Sequence, residues 1–159
     1  MYLQTDRLIF RSFTLADLPR FAAIQADPEV MKYVGGIQPL EVSRQQLEET
    51  IGHDRRSGLA RFAVEKKGES GVIGYCGFKP AGKFVDLGYQ YDRTTWGQGI
   101  GLEAAKAVRE YGLTELGITN MEAGGSIQNI ASVKIMEQLD FSHREEIIFD
   151  GVQAVRFYD

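Results

Sequence analysis

The chain has 159 residues, a formal net charge of −4, 25% charged residues and a single cysteine. A chain of this length can bury roughly 68–70% of its unfolded surface, so one domain over 1–159 needs no metal or disulfide staple, and lone Cys76 permits no internal disulfide. The negative balance excludes a whole-chain basic field of the kind that grips nucleic-acid phosphates, while leaving room for a local basic patch around one nucleotide-like ligand.

The opening Met1-Tyr2-Leu3-Gln4-Thr5-Asp6 lacks the basic stretch and apolar run of a secretory leader. No segment approaches the ~20 apolar residues that cross a bilayer. These readings predict a soluble, cytoplasmic protein with neither nucleic-acid nor membrane partners. Cys76 reads as a small apolar strand residue, because a nucleophile needs a lowered pKa and a neighbouring histidine, and His53 and His143 are both distant in sequence.

In chain order, Leu8-Ile9-Phe10 reads as a short strand. Thr14 with Asp17 three residues on resembles a capping box, and Leu15, Leu18, Ala22 and Gln25 follow at helical spacing, widened by Phe21 and Ile24. Asp27-Pro28 predicts a helix restart closed by Gly35-Gly36, since aspartate caps and proline suits the first turn. A polar helix follows from about Glu41 to Arg56, ending at Gly58. The pattern then alternates in strand fashion over 60–66, 72–78 and 84–91, with glycine-bearing turns between. A helix over 102–111, a strand over 118–123 and a helix over 130–139 come next. Strands over 142–149 and 152–158 flank Asp150-Gly151, a two-residue hairpin signal. The order β-α-α-β-β-β-α-β-α-β-β predicts an α+β (mixed α/β) fold on a mixed sheet.

The segment Trp96-Gly97-Gln98-Gly99-Ile100-Gly101-Leu102 joins a strand to a helix. Its glycines admit close backbone approach, and the helix start offers unpaired N–H groups at the positive end of the dipole, which together suit a pyrophosphate. A P-loop is excluded because the lysine and the following hydroxyl are missing. A dinucleotide fingerprint is weakened because the third glycine comes one position early. A ligand-free tight turn is the remaining alternative at this point.

With these motifs in place, the sequence resembles the GNAT superfamily of acyl-CoA-dependent N-acyltransferases, and within it the branch of ribosomal-protein N-terminal acetyltransferases. Gly99 and Gly101 match the last two fixed positions of the family's Arg/Gln-x-x-Gly-x-Gly/Ala motif, and Trp96 replaces the Arg/Gln as this branch commonly does. "TLADLPRFAAIQADPEVMKYVGG", "GVIGYCGF", "DLGYQYDRTTWGQGIGLEAA" and "NIASVKIMEQLDF" match in order, covering nearly the whole chain. The resemblance implies a twisted mixed sheet splayed into a V with helices on both faces. Acetyl-CoA, the acyl donor, would lie in that split. Backbone groups near Gln90 and Tyr91 would meet its pantetheine arm, and the amides of Gly97, Gln98, Gly99, Ile100, Gly101 and Leu102 its pyrophosphate. Asn129 occupies a position whose amide commonly bonds pantetheine; a plain helix N-cap is the alternative reading.

The implied reaction is direct attack of a neutral amine on the thioester in a ternary complex. Many family members protonate the leaving thiolate with a tyrosine four residues beyond the serine of N-x-x-S, but Met136 stands there. Ser132, or a water that it holds, is the remaining candidate for the acid, against a role confined to the helix turn. Glu122 is the first candidate for the base and Asp86 the second, each against the reading of a salt-bridged strand carboxylate. The acceptor region would span Met31 to Leu40 and the Asp150-Gly151 hairpin, where Asp27, Glu29, Tyr33, Glu145, Glu146 and Asp150 could draw a cationic amine: a protein N-terminus or a small molecule. No metal site is expected. Family members can dimerise through terminal strands, which leaves a homodimer open. The alternative function is a non-catalytic acyl-CoA sensor, favoured only by Met136.

Overall fold

The computed structural model describes residues 3–159, so Met1 and Tyr2, which open the segment read for a leader, lie outside the described residues. Eight strands form one mixed sheet: β1 (Leu3–Gln4), β2 (Leu8–Arg11), β3 (Arg61–Lys66), β4 (Val72–Ala81), β5 (Phe84–Tyr91), β6 (Met121–Ser126), β7 (His143–Phe149) and β8 (Val152–Tyr158). Their spatial order is β1-β2-β3-β4-β5-β6-β8-β7. Every pairing is antiparallel except β5 with β6. A parallel pair cannot be closed by a hairpin, and the connection between these two strands carries α3 (Ile100–Thr114).

Strand alternation supplies two cores. Ala63 and Val72 point to a face covered by α1 (Leu18–Gln25) and α2 (Leu40–Ser57), packing with Phe13, Leu18, Phe21 and Leu47. Their neighbours Phe62, Val64 and Ile73 point to the opposite face, beneath α3 and α4 (Ile130–Glu137), with Ala104, Val108 and Met136. Because both faces are covered, β3 and β4 read as apolar runs rather than clean alternations. Phe62 and Phe78 are fully or almost fully buried and meet edge to face, centroids 6.1 Å apart; each burial contributes roughly 1.5–3 kcal/mol.

Most predicted elements form within a few residues of their expected ends. The exception is the helix restart at Asp27-Pro28, where the chain makes successive turns to Gly36 instead. Asp27 accepts the Glu29 N–H at its side chain and the Met31 N–H at its carbonyl, which completes one helical turn. Met31 then drives into the core at 3% exposure, and Gly35 and Gly36 adopt positive φ, so a second turn cannot follow. The strand expected from Ile118 starts at Met121, because Ile118 is tied back to the carbonyl of Gly112 at the end of α3. Asp150 and Gly151 both have positive φ (48° and 77°), as a two-residue hairpin turn of the predicted type requires.

Candidate active site

β5 and β6 pair only through Val85↔Met121 and Asp86↔Glu122. Beyond those residues β5 stays with β4 as far as Tyr91, while β6 follows β8 from Glu122 to Ser126. The sheet therefore parts into a V, leaving a cleft of about 540 Å³. The ladder shows which backbone groups face it. Val85 N–H donates to Asn120 on the β6 side, and Asp92 N–H donates to Ile73 on the β4 side. Hydrogen-bonding direction alternates along a strand, so Tyr89 and Tyr91 turn their peptide groups into the split and Gln90 turns its own toward β4. This corrects the sequence reading of Gln90, which enters the cleft by its side chain rather than its backbone. The Tyr91 carbonyl is already occupied, since the Trp96 indole N–H donates to it at 3.1 Å.

Beyond β5 the chain passes a short turn and reaches Gly97 and Gly99, whose φ angles of 73° and 74° disfavour any side chain. α3 begins immediately after Gly99. Its first helical hydrogen bond is Glu103 N–H to Gly99 O at 3.1 Å. The amides of Ile100, Gly101 and Leu102 thus have no helical acceptor, and Gly99 has no side chain to cap them. The turn is braced from behind: Arg7, itself paired with Glu103 at 2.6 Å, donates to the Gln98 carbonyl at 2.8 Å, and Lys66 reaches the Gln98 side chain at 3.2 Å. Gln98 is accordingly the one residue of the predicted cradle that does not line the cleft. Trp96, Gly97, Gly99, Ile100, Gly101 and Leu102 all do. Arg7 was not singled out from sequence, because 91 residues separate it from Gln98.

The opposite wall is the start of α4. Asn129 caps it, its side-chain oxygen accepting the Ser132 N–H at 3.4 Å. That bond uses the carbonyl half of the amide, so capping and ligand contact through the NH2 are compatible. Ser132 Oγ lies 3.1 Å from the Tyr89 hydroxyl, which also donates to the Ser132 carbonyl at 3.1 Å. Burial raises the Tyr89 pKa, with the hydrogen bond to Ser132 opposing it, so the phenol stays protonated through neutral pH. Met136 is 1% exposed and belongs to the core. Tyr89 is the candidate site residue that the sequence did not reveal: it reads as one of several aromatics in a strand, 43 positions from the serine it meets.

A family model, the acetyltransferase (GNAT) domain, matches residues 7–142. The chain belongs to the GNAT acetyltransferase family. A curated relative, the uncharacterized N-acetyltransferase p20 of Bacillus licheniformis, is 32% identical over 96% of this chain and 88% of its own length. Among solved structures, a GNAT-family acetyltransferase from Bacillus anthracis superposes with a TM-score of 0.85 at 20% identity, covering 99% of this chain and 96% of that one. The ribosomal L7/L12 α-N-protein acetyltransferase RimL, solved with coenzyme A, superposes at 0.81 with 16% identity, covering 98% and 94%. The eight-stranded mixed sheet with its parallel break is the GNAT fold.

This GNAT domain does not bring its predicted bases into the cleft. Glu122 lies outside the lining and is held by Arg156 at 2.6 Å, which also binds Glu145 at 2.9 Å. Asp86 pairs with Arg61, whose guanidinium crosses the strand over Gly88, where a Cβ would collide with it. Both carboxylates thus take the salt-bridged reading. Cys76 is fully buried and its thiol is pushed up to about 12, chiefly by that burial, which fits an apolar strand residue and not a nucleophile. Among the described residues no cluster of three or more His, Cys, Asp or Glu could hold a metal, and no helix is long and apolar enough to cross a membrane.

Proposed function

We propose that this acetyltransferase takes its acetyl group from acetyl-CoA and passes it to a primary amine in a ternary complex, with Tyr89 and Ser132 managing the proton of the leaving thiol. The observation that carries the reading is the continuity of the cleft: a helix-start anion cradle, an unpaired strand edge and a hydroxyl pair follow one another along β5. The amides of Ile100, Gly101 and Leu102 suit the pyrophosphate, with Gly97 and Gly99 keeping side chains out of its way. The inward N–H and C=O of Tyr89 and the N–H of Tyr91 supply a strand edge for the pantetheine arm, and Asn129 lines the same space. RimL and an aminoglycoside acetyltransferase, both solved with coenzyme A, share the fold and favour this assignment.

Acetyl-CoA supplies the activated thioester; orientation, carbonyl polarisation and proton transfer fall to the protein. Tyr91 N–H is the polarising donor of this reading, because it faces the split beyond the last β5–β6 pair, while the carbonyl of the same residue is taken up by the Trp96 indole. The Tyr89 hydroxyl gives its proton to the departing sulfur and recovers one through Ser132. The pair stands in for the tyrosine that Met136 displaces. Among the described residues the only carboxylate lining the cleft is Glu29, which is exposed, so the amine proton leaves by water.

Lone buried Cys76 suits a reducing, cytoplasmic setting. A homodimer through β7, the edge strand at one end of the sheet, would extend the sheet, and mass measurement in solution tests it. Acetyl-CoA binding by calorimetry with thiol release over an amine panel tests the function. Release of free CoA dependent on an amine supports it; tight acetyl-CoA binding with no release on any amine would establish the sensor instead.

A further inference from the structure

The cleft has a second wall, made by the turns between α1 and α2, that the donor side leaves for the acceptor. Val30, Tyr33 and Val34 line it with Glu29 and Lys32, one acid against one base. Val34 is 51% exposed, and Ile37 and Leu40, at 60% each, continue the apolar character away from the cleft. Of the acidic residues that the sequence offers as a cation trap, three are paired with arginine, and Glu29 alone lines the cleft among the described residues. Asp27 binds Arg93 at 3.1 Å, Glu145 binds Arg156 at 2.9 Å and Glu146 binds Arg144 at 3.4 Å. Glu29 is balanced by Lys32 on the same wall, which gives a polycation little net negative field to follow.

Gln90 projects from β5 on this side. Its amide nitrogen donates to the sulfur of Met31 at 3.1 Å, which fastens the strand to the turn. Its carbonyl oxygen is buried and has no hydrogen-bond partner. A buried acceptor of this kind is unfavourable unless something donates to it, and the Gln90 side chain that carries it lines the cleft.

We propose that the acceptor is a weakly basic α-amine bearing an apolar side chain, whose N–H bonds the Gln90 carbonyl oxygen while its body rests on Val30, Tyr33 and Val34. This rests on the acetyltransferase reading above. The titratable groups that line the cleft are Glu29, Lys32 and the phenols of Tyr33 and Tyr89, the Tyr91 hydroxyl being buried against Cys76; Asp86 and Glu122 are both bound to arginine. With no dedicated base, the amine must arrive neutral. An α-amine of pKa about 7.7–8.0 is about one-third neutral at pH ~7.5, whereas a lysine-type amine at ~10.4 is neutral at ~0.1%, a difference of roughly 250-fold.

The test is thiol release from acetyl-CoA at pH ~7.5 with four probes: a tripeptide beginning with leucine, one beginning with aspartate, Nα-acetyl-lysine and spermidine. The leucine peptide should exceed the lysine derivative and spermidine in kcat/KM by about 100-fold or more, and the aspartate peptide by about tenfold. For the lysine derivative kcat/KM should rise about tenfold per pH unit to beyond pH ~9, while for the leucine peptide it levels off above pH ~8. Gln90→Leu should raise KM for the leucine peptide about tenfold with acetyl-CoA affinity unchanged, and Val34→Asp should impair the leucine peptide selectively. Spermidine or the lysine derivative equalling the leucine peptide, or an unchanged KM in Gln90→Leu, would overturn the acceptor assignment and leave the enzyme standing. Binding of acetyl-CoA without release on any probe would overturn the catalytic reading itself.

Discussion

Replacing Tyr89 by phenylalanine removes one oxygen and keeps the ring, which separates chemistry from packing. The hydroxyl makes two hydrogen bonds, to Ser132 Oγ and to the Ser132 carbonyl, both at 3.1 Å. Their loss should destabilise the fold by only about 1 kcal/mol, because Ser132 borders the cleft and water can replace the phenol. The effect on turnover should be larger. A positioned general acid contributes 10²–10⁴-fold, and with Ser132 and water left as substitutes the lower end applies, about 100-fold in kcat or ~2.7 kcal/mol. KM for acetyl-CoA should barely move, since the cradle at Gly97–Leu102 is untouched. Steady-state thiol release with acetyl-CoA checks this, alongside a donor thioester of a more acidic thiol, whose departure needs less protonation. The variant should recover most of its rate on that donor. A Tyr89→Phe enzyme within threefold of the parent, or one equally slow on both donors, would refute the role of the phenol.

Other expectations follow from the same geometry. Gly99→Ala places a side chain at φ 74°, which costs about 1–2 kcal/mol and should lower Tm by a few degrees while weakening acetyl-CoA at least tenfold, read by calorimetry. Asp140, which ends the α4 segment at φ 54°, pays a smaller penalty of the same kind; Asp140→Gly should raise stability by about 0.5 kcal/mol in urea titration without altering kcat. The Asp159 carboxylate is held below its usual range: burial alone would raise it, but the two hydrogen bonds and charge of Arg109, aided by Ser142, prevail. A depressed carboxylate stabilises the fold above its unfolded pKa of about 3.9 and loses that contribution as pH falls through the folded value. Asp159→Asn should therefore be less stable at pH 7 and show a shallower loss below pH ~4, measured by urea midpoints across pH.

The glycine turn, the hairpin at Asp150-Gly151 and the helix stop at Gly58 were legible in the sequence because each depends on local backbone conformation. Positive φ at these positions is a property of one or two residues, and glycine or aspartate announces it. The ordered set of GNAT-like segments was legible for a related reason: each is a short run whose residue types serve one local task. The Asp27-Pro28 restart misled because local capping signals say nothing of Met31, whose burial against β5 ends the helical path.

What the chain by itself determined, then, was most of the elements, the glycine turn and the family to which they belong. Only the tertiary structure decided which chemistry-bearing groups are free to act. Glu122 looks like a base in one dimension, yet Arg156, 34 residues away, holds it. Tyr89 looks like a strand aromatic, yet the splay of β5 from β6 sets its hydroxyl against Ser132 on α4. Side-chain partnership across a sheet depends on register and strand direction, which are set by the whole packed core and leave no mark at the positions concerned.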